Sequence, residues 1–174
     1  MPNTKTPPSI RPYKPGDLST LLGLNNSAVP AVNELTAEEM LDLIQSALIC
    51  LVAVVDGEPA GLLVCFADGA SYESQNYRWL SERHENFAYT DRIVVDDRLR
   101  GQKIGDALYA AFFSHPATHG RCFLCEVNER PPNPGSLRFH TRFGFEEIGR
   151  AANGDKSVVY MRRSAETIAN IPGS

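Results

Sequence analysis

The hydrophobic pattern of this chain is clearest over residues 87–115, where it changes from a strand type to a helix type. Residues 87–95 are rich in β-branched and aromatic side chains, which is typical of a mostly buried strand. The pattern then predicts a short turn over residues 96–103 and an amphipathic helix. The apolar or small residues with this helical spacing are Ile104, Ala107, Leu108, Ala111 and Phe112.

Further strands are predicted before and after this segment. Asp56-Gly57 and Asn153-Gly154-Asp155 each separate two strand patterns, and both are strong hairpin signals. The strand of residues 121–128 follows the amphipathic helix, so it is expected to pair in parallel with residues 87–95 in a right-handed βαβ unit. The other strand patterns occupy residues 9–13, 48–55, 59–66, 143–148 and 157–161.

Three further helices are predicted. Thr36 and Glu39 have the spacing of a capping box ahead of an apolar helical stripe. Residues 18–22 follow a Pro-Gly-Asp turn, and the polar residues 25–27 are expected to break that helix. Residues 136–142 form the last helix.

Residues 67–86 have no clean period and are interpreted as a long irregular connection. Such connections tend to be functional or mobile. Its aromatic residues Tyr72, Tyr77 and Trp79 either line a pocket or cover the core.

Length and composition favour one globular domain. The 174 residues are 43% hydrophobic, which is enough for a substantial core. We predict a single domain over residues 1–174, with residues 164–174 as a loose tail. The net charge of −4 argues against a general nucleic-acid binder. The longest apolar run, residues 47–55, is too short to span a membrane and no signal peptide is visible, so a cytoplasmic protein is expected.

Cys122 and Cys125 form a lone CxxC within a predicted strand. Residues three apart on a strand point to opposite faces, so these two sulfurs are not expected to share a metal. Buried reduced thiols are the preferred interpretation, and no metal site is predicted.

The turn over residues 96–103 has the composition of an anion site. It carries the cations Arg98, Arg100 and Lys103, and it leads into a helix whose first N–H groups have no acceptor within the helix. Gly101 and Gly105 leave room for a phosphate near the backbone. The spacing matches neither a nucleotide P-loop nor GxGxxG, so ATP and NAD are not favoured.

Two motifs resemble those of the GNAT superfamily of acyl-CoA N-acyltransferases. The first is the sequence Arg100-Gly101-Gln102-Lys103-Ile104-Gly105, which is similar to the family's pyrophosphate loop, Gln/Arg-x-x-Gly-x-Gly/Ala, except that Lys103 stands where the first glycine is expected. The second spans residues 133–145 and is similar to the family's closing motif. Asn133, Gly144 and Phe145 match there, whereas His140 occupies the position of a frequent tyrosine.

The resemblance implies a single α/β domain with a mixed, mainly antiparallel sheet flanked by helices. It also implies acetyl-CoA as cosubstrate and a small-molecule or peptide amine as acceptor, with no nucleic acid or membrane partner; a homodimer is left open. The implied cofactor contacts are backbone groups of Ile93, Val94 and Val95, residues 100–105, and Asn133. The open alternatives are an inactive acyl-CoA-binding regulatory module, an O-acyltransferase and an unrelated phosphate-ligand protein.

Two carboxylates within predicted strands are candidates for the base that deprotonates the amine. Glu126 is slightly preferred over Asp91. Desolvation would raise the pKa of either toward a useful range. The alternative for both is a structural ion pair, for example with Arg92 or Arg121. His140 is the candidate acid for the departing thiolate, with packing or a hydrogen bond to the cofactor as the alternative.

Overall fold

The computed structural model describes residues 5–165, which contain seven strands and five α-helices. The strands are β1 (Ser9–Pro12), β2 (Ile49–Val55), β3 (Glu58–Ala67), β4 (Phe87–Val95), β5 (Cys122–Arg130), β6 (Glu146–Asn153) and β7 (Lys156–Arg163). The helices are α1 (Leu18–Ser27), α2 (Ala37–Ser46), α3 (Gln75–Ser81), α4 (Ile104–Phe113) and α5 (Pro134–Arg142).

The strands of the described residues form one sheet in the order β1-β2-β3-β4-β5-β7-β6. The pairs β1–β2, β2–β3, β5–β7 and β6–β7 are antiparallel. The pair β4–β5 is parallel, as the predicted βαβ unit requires. The predicted fold class, a mixed and mainly antiparallel sheet flanked by helices, is confirmed.

The described chain groups into two compact units. The first comprises residues up to 65 together with 92–115, and the second comprises 66–91 together with the residues from 116 onward. Two of the three divisions fall inside β3 and β4, and the third lies between α4 and β5. The single domain over residues 1–174 stays a prediction, and residues 166–174 of its expected tail lie outside the described residues.

In the first unit, Thr36 is confirmed as the N-cap of α2, and its hydroxyl also donates to the Glu39 carboxylate at 3.2 Å. The Thr36 hydroxyl accepts from the backbone N–H of Glu39 at 3.1 Å, so one of the otherwise unpaired donors of the helix end is satisfied. The apolar face of α2 is buried, and Met40 is fully so. Full burial of a side chain of this size contributes about 1.5–3 kcal/mol.

The expected break at residues 25–27 is wrong, because these residues form the last turn of α1. Their side chains have tertiary partners that offset their low helix propensity. Asn25 Oδ1 accepts from the buried Arg92 guanidinium at 2.8 Å. Asn26 accepts from the N–H of Leu35 at 3.0 Å and donates to its carbonyl at 2.9 Å, so these asparagines hold the segment between α1 and α2.

In the second unit, the interpretation of residues 67–86 as wholly irregular is wrong, because they include α3. Ser74 caps this helix by accepting from the N–H of Tyr77 at 3.3 Å. The Tyr77 hydroxyl donates to the Ala67 carbonyl at 2.6 Å and accepts from the Ala70 N–H at 2.9 Å. Tyr77 is also buried against Phe87, so of the two roles left open it covers the core.

The four cysteines are free thiols. Cys122 and Cys125 are both buried on β5. Cys50 is half-buried, and burial raises the pKa of its thiol to about 12. Among residues 5–165, no group of three or more His, Cys, Asp or Glu side chains could hold a metal ion. None of the helices in that range combines the length and the apolar character needed to cross a bilayer.

Candidate active site

The turn between β4 and α4, in the first unit, adopts a left-handed backbone at two positions. Gly101 has φ of 81° and open space around it. Lys103, the residue that precedes the first turn of α4, has φ of 59°. Glycine is the usual residue for such a conformation, because a Cβ atom there crowds the backbone. The position where the resemblance expects a glycine is thus one whose backbone favours glycine.

Two of the three predicted cations of this turn are paired with aspartates. Arg98 contacts Asp96 at 2.7 Å, and Arg100 contacts Asp97 at 2.7 Å. Both arginine side chains are more than three-quarters exposed, at 86% and 78%. The Arg100–Asp97 pair is exposed on both sides, and such pairs contribute only about 0–1 kcal/mol, so the Arg100 guanidinium can turn to a bound polyanion at little cost. Asp96 is buried and holds the Arg98 guanidinium through two hydrogen bonds, at 3.1 and 2.7 Å.

The backbone before the turn is anchored to the neighbouring strand of the same unit. The N–H of Asp96 donates to the carbonyl of Ala60 at 2.8 Å, and Val94 just before it is buried. Ile93 and Val95 are half-buried on β4. These three residues, predicted from the resemblance to contact the pantetheine arm, therefore belong to a well-held strand end that leads directly into the turn.

Replacing Lys103 with glycine is expected to stabilise the protein. The left-handed conformation costs a residue with a Cβ atom about 1 kcal/mol. Glycine also has greater conformational freedom in the unfolded chain, which offsets part of this gain. We therefore expect a net increase of about 0.5 kcal/mol in the free energy of unfolding. Urea denaturation measures it. Lys103→Ala is the matched control, since it removes the charge but keeps the Cβ atom and should show no gain; a less stable Lys103→Gly would contradict the interpretation.

The second unit brings both candidate carboxylates to one face of the sheet. The parallel register pairs Tyr89 on β4 with Leu124 on β5. Asp91 and Glu126 each follow two residues later on their strands, and residues two apart on a strand share a face. The backbone pairing of β4 with β5 covers Phe87–Tyr89, whereas β4 continues to Val95.

Each carboxylate accepts hydrogen bonds from neighbouring polar side chains. Glu126 Oε1 accepts from the Tyr89 hydroxyl at 2.9 Å and from the Asn76 amide at 3.2 Å. Asp91 Oδ1 accepts from the Tyr72 hydroxyl at 2.5 Å. These donors fix the orientation of each carboxylate.

The two arginines considered as ion-pair partners for these carboxylates make other contacts. Arg92 donates to Asn25 and, at 3.0 Å, to Asn33. Arg121 forms an ion pair with Asp68 at 2.7 Å.

The tyrosines of this network stay protonated. Burial, and after it the charges of Glu126 and Asp91, raise the pKa of Tyr89 well above its usual value. Burial followed by the charge of Glu126 raises the pKa of Tyr160 to about 12. Tyr160 is the register partner of Glu126 across β5 and β7, and its hydroxyl donates to Asn76 Oδ1 at 2.9 Å. Both phenols therefore act as donors at physiological pH.

Sequence reasoning did not find three members of this network. Tyr89 could have been found, because it lies two residues before Asp91 on the same predicted strand and so shares its face. Asn76 belongs to the helix that was not predicted, and Tyr160 depends on the β5–β7 register. Neither carries a signal in its own sequence context.

The closing motif forms α5, with Asn133 as its N-cap. The Asn133 side chain accepts from the N–H of Ser136 at 3.2 Å. His140 is 3% exposed, and its Nδ1 lies 2.8 Å from the Ser136 carbonyl oxygen. A carbonyl only accepts, so Nδ1 carries the proton. Burial lowers the pKa of the imidazole, and the Ser136 bond offsets this only in part, so the acid role is limited to the small protonated fraction at neutral pH.

We expect the protein to lose stability as the pH falls below about 6.5, and His140→Phe to remove part of that loss. In the unfolded chain the imidazole takes up a proton at its ordinary pKa, whereas in the folded protein burial lowers the pKa of His140. The stabilising contribution is therefore complete above about pH 6.5 and is lost as the pH falls through the lower folded value. Urea denaturation over a series of pH values measures it. His119→Gln, at an exposed position, controls for the loss of a histidine; an unchanged acid dependence in His140→Phe would contradict the expectation.

Comparison with known proteins adds independent information. A family model described as the Acetyltransferase (GNAT) family matches residues 22–145. No curated protein sequence matches the chain. Among solved structures, Ard1 from Thermoplasma volcanium is 20% identical with a TM-score of 0.73, and the match covers 93% of this chain and 100% of that one. The ribosomal-protein-S18-alanine N-acetyltransferase from Escherichia coli is 14% identical with a TM-score of 0.71, over 94% and 97% of the two chains. An N-acetyltransferase from Staphylococcus aureus Mu50 is 17% identical with a TM-score of 0.70, over 92% and 100%. At these identities the structural likeness shows the fold alone.

Proposed function

Because the chain belongs to the GNAT family of acetyltransferases, we propose that it transfers an acetyl group from acetyl-CoA to an amine of a small molecule or a peptide. The observation that carries the proposal is the Glu126 carboxylate, which Tyr89 and Asn76 hold by hydrogen bonds on one face of the sheet. Such a carboxylate is suited to take a proton from an ammonium group. The similar E. coli protein is a ribosomal-protein-S18-alanine N-acetyltransferase, and this likeness supports a peptide α-amine as one acceptor to test.

The residues of the first unit fit the binding of acetyl-CoA. The backbone N–H groups of residues 100–105 include the start of α4, which favours an anion through its unpaired donors and the helix dipole. Gly101 has open space around it, so a phosphate can approach the backbone. We propose that this turn holds the pyrophosphate and that backbone groups of Ile93, Val94 and Val95 bind the pantetheine arm. Asn133 is proposed as a further cofactor contact.

The proposed reaction needs a neutral amine, because an ammonium nitrogen has no free electron pair. Glu126, directly or through a water molecule, removes one proton, and Asp91 is the alternative base. The amine nitrogen then attacks the thioester carbonyl carbon, and the carbon–sulfur bond breaks. A backbone N–H of residues 93–95 stabilises the charge that develops on the carbonyl oxygen. The departing thiolate takes a proton, which we assign to the protonated fraction of His140. The attacking nitrogen loses its second proton as the amide forms, and this proton restores His140 directly or through solvent.

The proposal is tested by mixing the protein with acetyl-CoA and a panel of acceptors. The panel contains peptides with different N-terminal residues and small primary amines, and free thiol is measured over time. Amine-dependent release of thiol is the expected result. If calorimetry shows binding of acetyl-CoA but no amine gives release of thiol, the result would instead support the inactive acyl-CoA-binding module. Lys103 and His140, which replace the family's glycine and tyrosine, are the sequence features that favour this alternative. The absence of both acetyl-CoA binding and thiol release would overturn the proposal.

A further inference from the structure

Asn76 connects the side chains of Tyr160 and Glu126 within the second unit. Its Oδ1 accepts from the Tyr160 hydroxyl at 2.9 Å, and its Nδ2 donates to Glu126 Oε1 at 3.2 Å. Asn76 is half-buried on the first turn of α3, a helix distant in sequence from both β5 and β7. The amide is therefore held at both ends.

The amide can take only one of its two orientations while Glu126 is ionised. If the side chain were turned over, Oδ1 would face the carboxylate, and two acceptors would oppose each other without a proton between them. The Tyr160 hydroxyl can donate or accept, so it adapts to the amide rather than dictating it. The charge on Glu126 thus selects the orientation in which Asn76 donates.

Helix α3 is itself fixed by aromatic packing. Trp79, three residues after Asn76 and so on the same helix face, stacks on Tyr160 with ring centroids 4.0 Å apart and planes 11° apart. The Arg83 guanidinium lies 4.0 Å from the Trp79 ring centroid on the same polypeptide segment. Gly149 on β6 leaves the room that Trp79 needs, because a Cβ atom there would lie 2.5 Å from the indole. The helix, and with it the Asn76 amide, is held at a fixed distance from β5.

We propose that Asn76 is a positioning residue, which holds the Glu126 carboxylate ionised and correctly oriented for the acceptor amine. The inference rests on the proposed function and deepens it, since it assigns a role to a helix outside both family-like motifs. The titratable groups that interact electrostatically with Glu126 are Tyr89 on β4, Tyr160 on β7 and Cys125 beside it on β5, and Tyr89 also interacts with Asp91 and Tyr72. Asn76 differs from all of them, because it is a donor that never titrates.

The test compares Asn76→Ala and Asn76→Asp with wild type in the pH profiles of kcat and kcat/KM. Loss of a hydrogen bond to a charged group should lower kcat about tenfold in Asn76→Ala. Without this donor the ionised form of Glu126 is less favoured, so the acidic limb should move to higher pH by about one unit, with little change in the KM for acetyl-CoA. Asn76→Asp keeps the shape of the side chain but replaces the donor with a second negative charge. The acidic limb of its pH profile should therefore move further to higher pH.

Gln75→Ala is the matched control on the same helix. Gln75 accepts from the exposed Asn153 side chain at 2.7 Å rather than contacting the carboxylate, and its variant should keep the wild-type pH profile. Coincident profiles for Asn76→Ala and Gln75→Ala would overturn the inference, as would a wild-type profile in Asn76→Asp.

A second readout does not depend on activity. The carboxyl carbon of Glu126, labelled with carbon-13, reports its titration by NMR, and the titration should move to higher pH in both Asn76 variants. If the wild-type protein releases no thiol with any amine, the proposed function fails, but the NMR titration still decides the inference. An unchanged Glu126 titration in Asn76→Ala overturns it.

Discussion

Glu126→Gln is expected to lower turnover by about 10²–10⁴-fold, the range typical of general acid–base catalysis. Glutamine keeps the size of the side chain and can still accept from Tyr89 and Asn76, which now donate to Glu126 Oε1. It cannot take a proton from the acceptor. Affinity for acetyl-CoA should stay close to wild type, because Glu126 is not among the residues proposed to bind the cofactor. Steady-state kinetics and calorimetry measure the two quantities.

Asp91→Asn is the matched comparison, because Asp91 is the other carboxylate on this face and also has a tyrosine donor. If Glu126 is the base, its variant should lose the acidic limb of the rate profile, since that limb reports ionisation of the base. Asp91→Asn should keep the limb. A large loss of turnover in Asp91→Asn with near-normal turnover in Glu126→Gln would transfer the role to Asp91.

The features predicted well from the sequence are those that depend on local chemistry. Thr36 caps α2 because a hydroxyl at that position satisfies a helix N–H whatever the rest of the fold does. Asp56 and Gly57 form the turn between β2 and β3, and both have the positive φ angles that this dipeptide tolerates. Period and turn chemistry were therefore sufficient for the presence of the strands, the hairpins and the helix after the basic turn. The strand predicted over residues 143–148 was displaced, because it lies at Glu146–Asn153.

The errors arose where tertiary contacts override local preference. Asn25 and Asn26 are weak helix formers, but Arg92 and Leu35 provide partners that keep them in the last turn of α1. Helix α3 is seven residues long, too short to show a convincing period. Its stability comes from packing, such as the stack of Trp79 on Tyr160, which the sequence does not reveal.

The candidate site divides in the same way. The two carboxylates and the glycine-bearing turn were predicted, because charged residues in apolar strands and glycines before a helix stand out in a sequence. The hydrogen-bond network around Glu126, in which Tyr89 and Asn76 donate to the carboxylate and Tyr160 donates to Asn76, could not be predicted as a whole. Tyr89, Asn76 and Tyr160 come from two strands and a helix, and only the sheet register and the position of α3 bring them to one carboxylate.

Gly61→Ala is expected to destabilise the protein by about 1–3 kcal/mol, the usual cost of an inserted methyl group in a packed core. Gly61 is buried on β3, and a Cβ atom there would lie 2.9 Å from the Val94 carbonyl oxygen. It would also lie 3.3 Å from Ile104 and 3.4 Å from Leu108, two buried residues of α4. A backbone oxygen cannot rotate away as a side chain can, so the strand itself must move.

Gly23→Ala is the control of opposite sign. Gly23 is exposed in α1, with nothing within 4 Å of its would-be Cβ atom. Alanine in a helix interior is favoured over glycine by about 1 kcal/mol, so this variant should be more stable than wild type. Urea denaturation of both variants gives the two free energies of unfolding, and equal effects of the same sign would contradict the packing argument.

The Gly61→Ala variant also bears on function, because the residues that its Cβ atom would displace belong to the proposed acetyl-CoA site. Val94 is one of the residues proposed to bind the pantetheine arm, and Ile104 is the first residue of α4. If the close approach at Gly61 sets the position of this strand end and helix start, Gly61→Ala should bind acetyl-CoA more weakly than wild type under conditions where both are fully folded. Gly23→Ala should bind with wild-type affinity. Calorimetry with acetyl-CoA decides the question, and equal affinities for all three proteins would show that the cofactor site does not depend on this contact.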